Sequence, residues 1–352
     1  MKVSQLAAAA VVFFAGSAIN PAFAATDNPD VIWRGDFDDG PSSLSGHCNA
    51  GDNGWCNEQT IRPQQIQLVS DPAFQGHGFA ARFEVRFGDV YSTYSDSRSV
   101  ITPPASMWED EGSEKWYRWQ AMWPDNWVGD YPKWDELTDG ARSWAGSLVE
   151  WHHDANGQVE TGSAPLYIGA NNTNIWMCLV DPATRSGCRE MLNLTPLLRN
   201  HWHDFVMHAK WSSDPSVGYV EMWIDGVNVL PKHVTSNKYP GMRNYLIVGL
   251  YRNYYIGDPN LLWPNGTRVY PTNDGTPGVA YLDGLIAGYT RAAVEPPVTT
   301  ITTPPGGPAT TTSSASFGGA AGGCASGGPA TLWFALPAAA LFVFRRRRSA
   351  TN

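Results

Sequence analysis

Basic residues are scarce in this chain. Lys and Arg number 24 against 33 Asp and Glu, for a formal net charge of −9. Five of those cations sit at the two ends, Lys2 and Arg345 to Arg348, so the stretch between them sets 19 bases against all 33 acids and carries about −14. That balance argues against nucleic acid as a partner. An anionic polymer would have to be held by a local basic cleft against the overall field. Cysteine is sparse too, five in 352 residues. The close pairs Cys48/Cys56 and Cys178/Cys188 have no zinc-site spacing, and in an exported protein two local disulfides are the simplest pairing. Long apolar runs occur only at the ends, helical patterns are few, and no internal repeat stands out.

The ends read as addressing. Lys2, the apolar Leu6 to Ala15 and the small-x-small Ala22-Phe23-Ala24 predict a secretory signal peptide over 1–24. Residues 296–328 are almost all Pro, Thr, Ser, Gly and Ala, which predicts an extended stalk. Within 329–352, the apolar stretch Thr331 to Phe344, 14 residues long, falls short of the roughly 20 needed for a span. The arginines Arg345 to Arg348 follow, as in a cytoplasmic stop. With Cys324 in a Gly-rich motif, this end resembles the C-terminal sorting tags of myxobacterial surface proteins; an ordinary membrane anchor is the alternative. Either predicts a secreted or cell-surface protein that meets the membrane only through this segment.

Residues 25–295 are expected to form one monomeric domain. Val31 to Phe37, Ile66 to Val69, Phe79 to Phe87, Trp116 to Trp123, Trp202 to Trp211, Gly218 to Ile224, Asn244 to Arg252 and Gly278 to Thr290 read as strands, many with period-two alternation. Asp225-Gly226 is a hairpin signal. Helices are expected only around Asp135 to Arg142 and Leu192 to Leu198. The pattern predicts an all-β sandwich or jelly roll with a concave working face.

Within Ser147 to Asp154, Leu148, Glu150 and His152 are expected on one face and Val149 and Trp151 on the other. A carboxyl beside an imidazole suits proton transfer, although an exposed polar strand face has the same pattern. His153 points the other way and reads as structural.

Trp202 to Trp211 followed by Gly218 to Gly226 resembles the paired central strands of concanavalin-like jelly rolls. Glu150-Trp151-His152 resembles the Gln-x-His strand of polysaccharide lyases on that fold, the heparin and glucuronan lyase group with alginate lyases more distant. Tyr245-Leu246-Ile247-Val248-Gly249-Leu250-Tyr251 is similar to the alginate-lyase pattern Tyr-Phe-Lys-Ala-Gly-x-Tyr, with Ile247 for lysine. Arg98-Ser99-Val100 is similar to an Arg-Ser/Thr-Glu motif, with Val100 for glutamate. Glu150 stands where the family has glutamine.

The resemblance implies β-elimination on an anionic polysaccharide, with no cofactor. Arg98 would neutralise the uronate carboxylate, Glu150, kept protonated beside it, would donate a hydrogen bond to it as the family's glutamine does, and His152 and Tyr251 would serve as base and acid. Arg82, Arg118, Gln120, His208, Lys210, Trp223, Tyr245 and Arg252 are the expected substrate-binding residues, with Trp119 a further candidate for stacking on sugar rings. Asp36 and Asp283 are candidates for a structural calcium, against a plain acidic turn. Two other readings stay open: a glycoside hydrolase using Glu150 and Glu221, although the Glu-x-Asp-x-x-Glu strand of concanavalin-like glucanases is missing, and a non-catalytic carbohydrate-binding surface module.

Overall fold

The computed structural model describes residues 28–49, 51–86, 89, 97–127, 129, 146–154, 162–252 and 277–295. The expected signal peptide, stalk and C-terminal segment, and the helix expected over 135–142, lie outside them. The strands are β1 (Val31–Gly35), β2 (Asn57–Gln59), β3 (Ile66–Val69), β4 (Ala80–Val85), β5 (Ser97–Thr102), β6 (Glu114–Met122), β7 (Ser147–Asp154), β8 (Leu166–Ala170), β9 (Asn174–Val180), β10 (Cys188–Pro196), β11 (His203–Lys210), β12 (Tyr219–Ile224), β13 (Val227–Val234), β14 (Arg243–Arg252) and β15 (Gly278–Gly288). A single turn of helix, Arg291–Val294, follows β15. No helix among the described residues is long and apolar enough to cross a membrane.

The strands form two antiparallel sheets. The back sheet runs β13-β12-β11-β6-β15-β4-β3, with β1 also on β15; the front sheet runs β10-β9-β8-β7-β14-β5-β2. Most spatial neighbours are not sequence neighbours, as in a β-sandwich jelly roll, and the fold expected from alternation is the one formed. Phe83, Tyr117, Trp119, Phe205 and Met207 of the back sheet meet Val149, Trp151, Ile168, Leu246 and Val248 of the front sheet in one core. Trp151 joins the layers, its ring centroid 5.1 Å from Tyr117 and 6.3 Å from Trp119. Burial of each such ring contributes about 2–3 kcal/mol. Trp119 is therefore core, stacked on Phe205 at 5.0 Å, and takes no part in a sugar platform.

Both expected disulfides form, Cys48–Cys56 and Cys178–Cys188. Asp225 and Gly226 take φ of 52° and 77°, the left-handed pair of a type I′ hairpin between β12 and β13. The helix expected over Leu192 to Leu198 is instead largely the edge strand β10. Its alternation decides this: Leu192 and Leu194 turn toward the core, while Met191 and Asn193 are exposed. The neighbouring β8 and β9 show no alternation, because a second cluster of Ala164, Tyr167, Trp176, Cys178, Val180, Tyr239 and Met242 buries their outer face as well.

Candidate active site

Strand β7 is anchored through its inward side chains. Val149 and Trp151 lie in the core, which turns Glu150 and His152 to the outer face of the front sheet. Leu148 departs from the expected alternation. β7 carries one extra residue against β8 between Ser147 and Val149, and β14 one extra against β7 between Val248 and Tyr251. At this bulge Leu148 joins the core beside Val149, and Ser147 takes the outer position instead. Gly249, within the bulge, has φ of 124°, and a Cβ there would lie 2.2 Å from the Ser99 carbonyl oxygen. Only glycine fits.

The register then assembles the site in rows. Arg98 on β5 is opposite Tyr251 on β14, which is opposite Ser147 on β7. Ile247, Glu150 and Tyr167 form the next row, and Tyr245 and His152 the one after. Arg98, Glu150, His152 and Tyr251 line one pocket of about 110 Å³, together with Ser147, Tyr167 and the wall segment Gly162, Ser163 and Ala164. That wall is pinned from outside: Tyr239 Oη donates to the Ser163 carbonyl at 2.9 Å, and the Ser163 N–H donates to the Arg185 carbonyl at 2.8 Å.

Each polar group in the pocket has a defined setting. The Arg98 guanidinium donates to Gln59 Oε1 at 2.9 Å and lies 4.6 Å from the Tyr251 ring centre. Gln65 Nε2 holds the Arg98 carbonyl at 3.1 Å. Glu150 is buried, 8 % exposed, with Ser147 Oγ 3.4 Å from Oε2. His152 Nδ1 is 3.1 Å from the His153 carbonyl oxygen and 3.4 Å from Tyr245 Oη. A carbonyl only accepts, so Nδ1 carries the proton in neutral His152 and Nε2 is the basic nitrogen. Burial pushes the Tyr167 phenol far above its ordinary range, and the Glu150 carboxylate pushes it the same way, so Tyr167 stays protonated. His153 is fully buried against Tyr239, as a structural residue should be.

The family described as "Polysaccharide lyase" matches residues 46–285, which takes in β2 to most of β15 and every residue of this pocket. The chain belongs to that family. Among solved structures, an endo-β-1,4-glucuronan lyase from the fungus Trichoderma reesei is similar at 18 % identity and a TM-score of 0.49, covering 69 % of this chain and 94 % of that one. The catalytic domain of a family 131 β-glucanase from Podospora anserina is similar at 12 % and 0.48, covering 75 % and 98 %. Alginate lyase A1-II′ of polysaccharide lyase family 7 is similar at 12 % and 0.43, covering 65 % and 84 %. No curated protein matches the chain.

Of the other expected binding residues, only Tyr245 stands beside this pocket. The side chain of Arg252 lies outside the described residues. Arg82, Arg118, Gln120, His208, Lys210 and Trp223 all belong to the back sheet, where they alternate with core residues and so face away from the front sheet. Period two shows which residues share a face but not which of two sheets owns that face. The back face is also already paired. Arg82 and Arg86 hold Glu84, Arg118 and Gln120 hold Asp204, His208 and Lys210 meet Glu114, and Trp223 stacks on Trp116 under Arg291.

Glu221 is on that back face as well, 3.7 Å from His208. Glu150 and Glu221 thus lie on opposite sides of two stacked sheets and cannot flank one glycosidic bond. Asp283 is fully buried and accepts N–H bonds from Phe74 at 3.0 Å and Gly284 at 2.7 Å. His77 comes against it, Nδ1 lying 3.1 Å from Asp283 and 3.7 Å from Asp38. Elsewhere His201, His203 and Asp225 bring three potential ligand atoms within 4.8 Å of one another. His203 Nε2 accepts the Leu198 N–H, however, so Nδ1 holds the proton that Asp225 receives at 2.8 Å. That tautomer serves the β12–β13 turn, not a metal.

Proposed function

We propose that this polysaccharide lyase cleaves a uronic-acid polymer by β-elimination, with Arg98, Glu150, His152 and Tyr251 as its working groups. The observation that carries the reading is their convergence on one pocket from three strands. The difficulty of the reaction is negative charge building on a carboxylate that is charged already. Arg98 supplies the cation. Glu150, buried and brought against a second carboxylate, takes up a proton when substrate binds and donates a hydrogen bond to it. His152 Nε2 then removes the C5 proton. The C–H electron pair becomes the C4–C5 double bond, the C4–O bond breaks toward oxygen, and the Tyr251 hydroxyl protonates that oxygen. These steps use side chains alone.

The charge of about −14 favours a glucuronan-like or alginate-like polymer over heavily sulfated heparin. Two disulfides suit an oxidising compartment, and with the 1–24 signal peptide, the 296–328 stalk and the C-terminal segment they support a surface-anchored enzyme. The test is incubation of the purified protein with a panel of uronate polymers while ultraviolet absorbance is followed. A conjugated unsaturated product raises the absorbance; reducing ends without absorbance would mean hydrolysis, and binding without either a non-catalytic module.

A further inference from the structure

The outer column of β7 and β14 does not stop at the pocket. Next in register after Tyr245 and His152 come Arg243 and Asp154. Trp108 enters beside them from the β5 side. Glu109 and Asn244 exchange backbone N–H···O bonds of 2.7 and 3.1 Å, which adds a one-residue bridge to the edge of β14. The bridge turns the Glu109 side chain inward, where it meets Lys115 and Tyr117, so Trp108 falls on the outer face. Its ring centroid is 5.9 Å from Tyr245, and the Arg243 guanidinium lies 4.2 Å from its ring centre. Asp154 accepts from Arg243 Nη2 at 3.1 Å. Among the described residues Nε and Nη1 make no hydrogen bond, and the side chain remains 40 % exposed.

A guanidinium 4.2 Å over an indole ring centre, with an edge still open, is a fork shaped for a carboxylate. Its exposed pairing with Asp154 contributes little and exchanges readily. The contrast with the back face is plain, since Arg82 and Arg118 there are closed off by Glu84 and Asp204. On the front face Arg98 and Arg243 stand at opposite ends of these rows, about 23 Å apart by the rise of the paired β7 from Ser147 to Asp154.

We infer that Trp108 and Arg243 form an outer uronate subsite, in which the indole stacks on a sugar ring and the guanidinium binds its carboxylate. The polymer then lies along β14, gripped through carboxylates at both ends of the column. This rests on the uronate-lyase reading above. Arg243 is two rows from Glu150, so it acts on binding rather than on the bond that breaks.

The test compares wild type, Arg243→Ala, Arg243→Lys and Asp154→Ala on one uronate polymer and on oligomers of graded length. Arg243→Ala should raise KM about tenfold, with the change in KM rather than kcat and a loss that grows with oligomer length. Arg243→Lys should recover part of it, and Asp154→Ala should lower KM. An unchanged KM, or an equal loss at every length that follows a fall in melting temperature, would overturn the subsite. Calorimetric titration of oligoglucuronate and oligomannuronate into His152→Ala, with and without Arg243→Ala, separates the two readings. If wild type cleaves nothing but affinity still depends on Arg243, the subsite stands and the lyase mechanism falls. If affinity is the same with and without Arg243, the subsite is wrong whatever the activity.

Discussion

His152 owes its basic nitrogen to the carbonyl that follows it in the chain, and Tyr251 owes its setting to the guanidinium beside its ring. His152→Ala and Tyr251→Phe should each lower kcat at least about 100-fold while the melting temperature holds, as steady-state assays and thermal scans on one preparation would show. Glu150→Gln should keep or raise activity at neutral pH, because glutamine donates permanently what a protonated Glu150 donates; a large loss in the same assay would remove that role. Glu150 and His152 were legible in the sequence, two apart on one strand face. Arg98 and Tyr251 were legible only through likeness to lyase motifs. Ser147, Tyr167, Ser163, Trp108 and Arg243 left no local signal, because register, a bulge and a one-residue bridge bring them to the site. Tyr167 is hidden in Leu166–Ala170, where every residue is buried and nothing alternates.

Among the elements, the bulge at Leu148 and Gly249 decides most. It places Ser147 in the outer row opposite Tyr251. Gly249→Ala should cost about 2 kcal/mol or more, since the new Cβ meets the Ser99 carbonyl and φ is left-handed. Activity should fall with it, because Arg98 sits next to Ser99 in β5; denaturant melts and turnover on the same variant check both. Local pattern gave the alternating strands well, within a residue or two at each end. It failed for β8 and β9, buried on both faces, and for β10, where pairing with β9 prevailed over helix-like composition. It also could not say which sheet Arg118, His208 and Lys210 belong to, since only the topology carries that.

For the whole molecule, Arg98 and Arg243 stand on the outer side of the front sheet, away from the carboxylate-paired arginines Arg82 and Arg118 of the back sheet. The back face spends its arginines on its own carboxylates. The His77 cluster with Asp38 and Asp283 should give the fold a pH dependence. Burial lowers the His77 pKa, but Asp283 and Asp38 more than offset it, and the net shift is upward. Burial raises Asp283 too, with His77 opposing. A folded pKa above the unfolded value of about 6.5 means that the contribution of His77 is complete below that pH and is lost as pH rises through the folded value. The melting temperature of wild type relative to His77→Gln should therefore decline across that window, and parallel curves would contradict it.

The most direct measurement is mass balance on a single cleavage. A defined uronate oligosaccharide is digested, and the two products of one cut are weighed by mass spectrometry. Elimination predicts that their masses sum to that of the substrate, with the double bond on the new non-reducing end, and that Tyr251→Phe yields neither fragment. Products that together weigh one water more than the substrate would show hydrolysis and contradict the mechanism.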